Sequence, residues 1–234
     1  MTQTLMRENL LRIQEKIARA AARAGRREDE ITLIGVSKTQ PASAIVEAYQ
    51  AGVRHFGENR VQEWEGKRAG TEGLVARWHL IGHLQSNKTA RAARLFHSVD
   101  SVDDLALAQR LDRAHAEAGI TSKLRVLIEV HVAPEETKSG VEIRELATLA
   151  KTCAEQPRLQ LAGLMCIPPF LEKAEQVRPY FRRLRELRDE LVGKLGIELP
   201  VLSMGMSHDF EVAIEEGATE VRVGTALFGV REAK

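Results

Sequence analysis

The sequence predicts an α/β fold, a single (β/α)8 TIM barrel with one additional helix at its N-terminus. Eight short apolar runs alternate with charged stretches of helical periodicity, and the 234 residues suit one barrel of about 250 residues. We therefore predict that residues 1–234 form one domain. An open doubly wound sheet is the main alternative, but its first strand is typically followed by a G-x-G-x-x-G turn. Residues 37–41 read SKTQP instead.

Each element follows from a local pattern. Residues 4–24 carry apolar positions at helical spacing and Gly25 follows them, which predicts the additional helix. Residues 31–36 form a β-branched apolar run typical of a strand buried on both faces, and Pro41 then opens a helix to residue 51. The other strands are predicted near residues 53–56, 78–81, 95–99, 124–132, 161–167, 201–204 and 221–223, and the clearest later helices over 102–118, 143–155 and 174–195.

Composition and charge exclude several classes of function. With 34 basic and 33 acidic side chains the formal net charge is +1, which gives no global field for nucleic acid or an anionic membrane, so any basic site must be local. The N-terminal residues lack the apolar centre of a secretory signal, and no run reaches the length of a membrane span. Cys153 and Cys166 are too few for a disulfide framework and are expected to be buried free thiols. We expect a soluble, cytoplasmic protein.

In such barrels the working residues follow the C-terminal ends of the strands. Lys38 ends the first apolar run, where partial shielding from water would lower the pKa of its ammonium group and free the amine to attack an aldehyde. A solvated lysine in a β-to-α turn is the alternative. Residues 204–207 and 224–225 offer small residues and two hydroxyls in the loops after strands seven and eight, a common place for phosphate. Glycine turns with capping hydroxyls remain the alternative there.

Metal and hydrolase chemistry are not expected. His79 and His83 are four residues apart, but their segment is predicted as a strand entering a loop, so they do not form a helical metal-binding pair. Ser207 has no G-x-S-x-G elbow, and His208 lacks a matching carboxylate and serine arrangement.

Several motifs in order resemble one known family. They read VSKT at 36–39, FGENRVQE at 56–63, WHLIGHLQSNK at 78–88, KSG at 138–140, GLM at 163–165, LSMGMS at 202–207 and VRVGTALFG at 221–229. In these the chain resembles the YggS-type pyridoxal 5'-phosphate (PLP) homeostasis proteins, also called PROSC or PLP-binding proteins. The resemblance implies a fold type III PLP-binding barrel like the N-terminal domain of alanine racemase.

The resemblance also implies roles for individual residues. PLP would be held as a Schiff base on Lys38, with its phosphate on Ser207, Gly224 and Thr225 and its pyridine nitrogen facing Arg222. Asn59, His79 and Met206 are expected to line the cofactor cavity, and Lys138 resembles a second lysine proposed to take part in cofactor transfer.

The same family suggests a carrier rather than an enzyme. Arg222 is a permanent cation and cannot accept a proton from the pyridine nitrogen, so the ring would be a weaker electron sink. Alanine racemase also needs a tyrosine from a second domain, whereas Tyr49 and Tyr180 both fall in predicted helices here. We expect a monomeric protein that serves intracellular PLP homeostasis and delivers PLP to apo-forms of PLP-dependent enzymes. A single-domain amino-acid racemase or lyase is the alternative.

Overall fold

Eight parallel strands close into a barrel in chain order, so each strand pairs with the next and β1 pairs with β8. The computed structural model describes residues 3–133 and 140–229. The strands are β1 Thr32–Val36, β2 His55–Glu58, β3 Arg77–Leu80, β4 Ser98–Val102, β5 Leu124–Glu129, β6 Leu159–Met165, β7 Val201–Met206 and β8 Glu220–Val223. This confirms the predicted barrel and excludes the open doubly wound sheet, because a closed sheet has no edge strand.

Helices surround the barrel. They are α1 Gln3–Arg23, α2 Ala42–Ala51, α3 Val61–Lys67, α4 Thr89–Leu95, α5 Leu105–Glu117, α6 Ile143–Glu155, α7 Arg178–Leu195, α8 Phe210–Glu215 and α9 Thr225–Phe228. The additional helix α1 packs against α2, α8 and α9 and buries one apolar face, which includes Leu10, Ile13 and Ile17. Gly25 follows it with a φ of 67°, a left-handed conformation that glycine adopts without strain. None of the helices in the described ranges is both long and apolar enough to cross a bilayer.

The fourth strand is the element that the apolar pattern places least well. The prediction began at residue 95, but Leu95 ends α4, and β4 runs from Ser98 to Val102 with every residue buried. Its polar members Asp100 and Ser101 are fully buried. An apolar run therefore marks only the start of this strand, because its later part carries hydrogen-bonding side chains.

The barrel interior contains both apolar and polar side chains. Leu127, Ala162 and Met165 form a small apolar cluster separate from the main core that packs between strands and helices. Polar side chains lie toward both ends of the barrel, and many of them are ionisable. Such groups are retained in a barrel interior only where hydrogen bonds or charge partners compensate for lost hydration.

Candidate functional site

The turn after β1 places Lys38 at the C-terminal mouth of the barrel. Ser37 is fully buried and its hydroxyl donates to Glu58 Oε1 at 2.7 Å, so the start of the turn is anchored on β2. Lys38 itself is half-buried and lines a cavity of about 310 Å³ at the mouth. Thr39 has a φ of 63°, a left-handed conformation that is uncommon for a residue with a side chain.

Lys67, the last residue of α3, stabilises this turn by hydrogen bonds. Its ammonium group donates to Ser37 O at 2.8 Å, to the two carboxylate oxygens of Glu58 at 2.9 and 3.0 Å, and to Glu63 Oε1 at 2.7 Å. Glu63 also accepts the backbone N–H of Thr39, which holds that residue in its unusual conformation. One cation and two carboxylates thus fix the residues on both sides of Lys38.

The two carboxyl groups of this network respond differently to it. Burial raises the pKa of Glu58, and the hydrogen bonds from Lys67 and Ser37 only partly oppose that effect. Burial would also raise the pKa of Glu63, but hydrogen bonds from Lys67 and from the Thr39 backbone outweigh it, so its pKa is lowered. Glu63 is therefore the more readily ionised of these two carboxyl groups.

The loops after β7 and β8 form the part of the mouth cavity that adjoins the Lys38 turn. The Ser207 hydroxyl oxygen accepts the backbone N–H of Gly224 at 3.2 Å and of Ala226 at 3.3 Å. These two N–H groups converge on one point beside Thr225, which also lines the cavity. Convergent backbone donors next to a hydroxyl are the arrangement that binds a phosphate oxygen.

Two glycines allow the mouth loops to approach their neighbours. Gly205 has a φ of 90°, and a Cβ there would lie 2.6 Å from the Ala213 Cβ, so only glycine lets the end of β7 pack on α8. A Cβ on Gly82 would lie 2.5 Å from the carbonyl oxygen of Asn59. The absence of that Cβ lets the loop after β3 support Asn59 at the edge of the cavity.

Arg222 projects from β8 into the interior and is 3% exposed. Its guanidinium donates to Ser203 Oγ at 2.9 Å and to the carbonyl oxygen of Cys166 at 2.7 Å, and it also lines the mouth cavity. The side chain is therefore a fixed cation that presents donors and no acceptor. Cys153 and Cys166 are free and buried, as predicted.

The structure brings together seven of the eight residues predicted to contact the cofactor. The residues that line the mouth cavity include Lys38, Asn59, Met206, Ser207, Arg222, Gly224 and Thr225. Their individual roles stay predictions. Lys138, the predicted transfer lysine, lies outside the described residues.

His79 is the exception, because it does not line this cavity. It pairs in register with Ser98, the first residue of β4, so its ring lies toward the N-terminal half of the barrel. Its Nδ1 lies 3.1 Å from Asp100 Oδ2 and its Nε2 lies 3.0 Å from His55 Nδ1. The residue on this segment that does reach the mouth cavity is Ile81.

Glu129 is a candidate that the sequence patterns did not single out. It ends β5 and is 3% exposed. Its pKa is raised to about 7, chiefly by burial and then by the Asp103 carboxylate, while Arg222 and His83 oppose the rise. Its position as the last residue of a barrel strand is the signal that could have found it.

Asp103 extends this acidic side of the mouth. Its Oδ2 accepts from His83 Nδ1 at 3.2 Å, whereas its buried Oδ1 has no hydrogen-bond partner among residues 3–133 and 140–229. Glu129 can hold a proton near neutral pH, and burial also raises the pKa of Asp103. The two residues end β5 and follow β4, opposite β1 in the barrel order.

Comparison with known proteins is consistent with this geometry. Residues 9–232 match the sequence family described as alanine racemase, N-terminal domain. The pyridoxal phosphate homeostasis protein of Aquifex aeolicus is 49% identical over 225 residues, which cover 96% of this chain and 98% of that protein. The protein of the same name from Escherichia coli K12 is 45% identical over 236 residues, covering 96% of each.

Two solved structures share this fold. PipY of Synechococcus elongatus, in a structure with PLP bound, has a TM-score of 0.81 and 41% identity and covers 91% of this chain and 100% of that one. Alanine racemase of Corynebacterium glutamicum is 18% identical with a TM-score of 0.71, over 98% of this chain and 61% of that one. The racemase likeness shows a shared fold only.

We expect replacement of Lys67 by Met to destabilise the fold strongly. The Lys67 side chain is 10% exposed, and its loss leaves two carboxylates without their cation. Removing one partner of a buried ion pair costs about 3–5 kcal/mol. The measurement is the free energy of unfolding in urea. Lys16→Met is the control, because Lys16 forms an exposed pair with Glu211 and should change the free energy by about 1 kcal/mol or less. Equal losses in the two variants would contradict the role given to Lys67.

We expect Glu129→Gln to remove a pH dependence of stability. Because the Glu129 pKa rises to about 7 on folding, the folded chain binds more protons than the unfolded chain below that pH. Stability therefore falls as pH rises from the unfolded value near 4.3 through the folded one. Relative to Glu129→Gln, the wild type should lose about 2–3 kcal/mol of unfolding free energy between about pH 5 and pH 8. The exposed Glu117→Gln should follow the wild type, and identical pH profiles for all three proteins would refute the shift.

Proposed function

The chain belongs to the pyridoxal phosphate homeostasis protein family, and on that premise we propose that it binds PLP as a Schiff base on Lys38 and holds and delivers this cofactor within the cell. The observation that carries the proposal is the pairing, across one cavity, of a half-buried lysine with convergent backbone N–H groups. PLP has an aldehyde at one position of its ring and a phosphate at another. An amine and phosphate donors that line one cavity suit the two ends of one molecule.

The cavity fits a ligand of this kind in volume and in donor set. About 310 Å³ is at the lower end of the usual range for small-molecule pockets. Ser207, Gly224 and Thr225 supply hydroxyl and backbone donors for the phosphate, and Arg222 supplies a fixed donor toward the ring nitrogen. Asn59 and Met206 would line the ring. When bound, PLP supplies an aldehyde that condenses reversibly with amines.

The chain's own residues favour a carrier over an enzyme. Tyr49 lies on α2, where its ring contacts Arg54, and Tyr180 lies on α7, so neither tyrosine lines the mouth cavity. Proton transfer at an amino acid requires an acid or base positioned on the reacting face. A fixed guanidinium at Arg222 also leaves the pyridine nitrogen without a proton donor of suitable pKa.

This carrier would act in the cytoplasm as a monomer, with residues 1–234 as one PLP-binding domain. Its partners would be apo-forms of PLP-dependent enzymes, and Lys138 would assist transfer. The two buried free thiols suit a reducing compartment.

We expect Lys38→Ala to abolish covalent capture of PLP. The wild type incubated with PLP and reduced with borohydride should carry the adduct on the peptide that contains residue 38, as identified by mass spectrometry. Lys88→Ala is the control, since Lys88 lines a neighbouring cavity at the same end of the barrel. Adduct formation in Lys38→Ala at the wild-type extent, on another lysine, would overturn the assignment.

Ser207→Ala tests the proposed phosphate contact without changing the amine of Lys38. Losing a hydrogen bond to a charged group should weaken affinity for PLP by about tenfold or more. Affinity for pyridoxal, which lacks the phosphate, should change little. Equal losses for both ligands would place the phosphate elsewhere.

We expect the PLP-loaded protein to show no amino-acid turnover of its own. Loaded protein and free PLP at the same concentration should racemise L- and D-alanine at similar low rates, because neither Tyr49 nor Tyr180 lines the mouth cavity. Chiral chromatography measures both products, and Lys38→Ala with PLP is the matched control. A rate well above that of free PLP, lost in Lys38→Ala, would show that the protein is an enzyme.

A further inference from the structure

A second cavity of about 510 Å³ opens at the N-terminal end of the barrel. Its lining includes His55 and Arg77, which begin β2 and β3, and His97 and Lys123, which directly precede β4 and β5. His55 and Arg77 are partners in register, as are Ser98 and Arg125. Because the starts of parallel strands lie at one end of a barrel, this cavity is on the side opposite Lys38.

The lining of this cavity is strongly basic. Its charged members are Arg77, Arg94, Lys123, Arg125 and Glu220, and the single carboxylate is already bonded to Arg125 at 2.6 Å. Within the described residues, Arg77, Arg94 and Lys123 form no ion pair. In a chain of net charge +1, this is a local concentration of cations that face one concave space.

Two histidines add oriented groups to the same wall. His97 Nδ1 accepts the backbone N–H of Trp78 at 3.1 Å, so in the neutral ring the hydrogen is on Nε2. Burial lowers the pKa of His97, and the positive charge of Arg77 lowers it further. The neutral His97 ring therefore offers its Nε2–H as a hydrogen-bond donor at the edge of the cavity.

His55 ends a chain of hydrogen bonds that begins inside the barrel. The Asp100 carboxylate, whose pKa is lowered, accepts from His79 Nδ1–H. In the neutral pair, His79 Nε2 then accepts from His55 Nδ1–H, which leaves a lone pair on His55 Nε2. A proton placed on that nitrogen would be supported, through His79, by the buried carboxylate.

We propose that this cavity is a second ligand site, for a phosphorylated small metabolite, with Arg77, Lys123 and His97 as donors to the phosphate. Arginine and lysine are the usual partners of phosphate, and cations that lack a carboxylate pair bind an anion without first breaking an ion pair. The volume exceeds that of a lone phosphate and leaves room for an organic group. The site is independent of the PLP site and of its function.

Ligand binding would be coupled to proton uptake on His55. The pKa of His55 is lowered to about 4, chiefly by burial and then by His79 and Arg77 on β3 and Arg125 on β5, while Asp100 on β4 opposes these effects. A bound dianion would offset the positive neighbours and raise this pKa. Affinity should therefore increase as pH falls toward the bound-state value.

The test uses borohydride-reduced, PLP-loaded protein, so that the mouth is filled, and follows the imidazole signals of His55 and His97 by NMR at constant ionic strength. Pyrophosphate, inorganic phosphate and citrate are the probes. We expect saturable shifts of both rings with pyrophosphate, weaker effects with phosphate and citrate, and a higher His55 pKa in the saturated protein. If no PLP adduct forms, the function proposed for the mouth fails while these two signals still report on the opposite end.

Arg77→Gln with Lys123→Gln should weaken pyrophosphate binding about tenfold or more, because the double variant loses two charged hydrogen-bond donors to the phosphate. Arg110→Gln with Lys194→Gln is the matched control, because it removes the same charge from the helices α5 and α7 at residues that do not line the cavity. Non-saturating shifts, or equal effects of the two double variants, would show ionic screening only and overturn the proposal. Tighter saturable binding of citrate than of pyrophosphate would overturn the phosphate assignment.

Discussion

Hydrogen bonding between β1 and β8 is the contact on which the candidate site depends. The two strands pair from Thr32 with Glu220 to Gly35 with Val223, and this pairing closes the barrel. It brings the turn at Lys38 beside the loop at Gly224, although these residues are separated by most of the chain. A Cβ on Gly224 would lie only 3.5 Å from the carbonyl oxygen of Val36, so the two loops meet closely at the mouth. An open sheet of the same strands would leave amine and phosphate donors at opposite edges.

Two arginine side chains in the barrel interior join several strands by hydrogen bonds. Toward the mouth, Arg222 on β8 donates to Ser203 on β7 and to Cys166, which directly follows β6. Toward the other end, Arg125 on β5 donates to Ser98 on β4 and to Glu220 on β8. Each arginine holds strands that are distant in sequence with charge-assisted hydrogen bonds. The cost of burying these cations is offset by several acceptors at once, which restricts the register of the strands they join.

Sequence patterns predicted the architecture because each strand contains or adjoins a short apolar run and most helices show clear periodicity. The residues at the mouth could also be predicted, because a small or charged residue that follows the end of a strand has a defined place in a barrel. Patterns could not place His79, whose height in the barrel depends on the stagger between β3 and β4. Lys67 and Glu129 were missed for a related reason. One lies on a helix behind the turn it holds, and the other is notable only through burial beside Asp103 and Arg222.

Cys166 shows how burial decides which nucleophile meets an aldehyde. Its carbonyl oxygen accepts a hydrogen bond from the guanidinium of Arg222, which lines the mouth cavity. A reactive thiolate would compete with the amine for an aldehyde by forming a hemithioacetal. Burial raises the pKa of this thiol to about 12, so at neutral pH it stays protonated and weakly reactive. Burial thus keeps this thiol out of reaction with an aldehyde, and the same protection applies against oxidants.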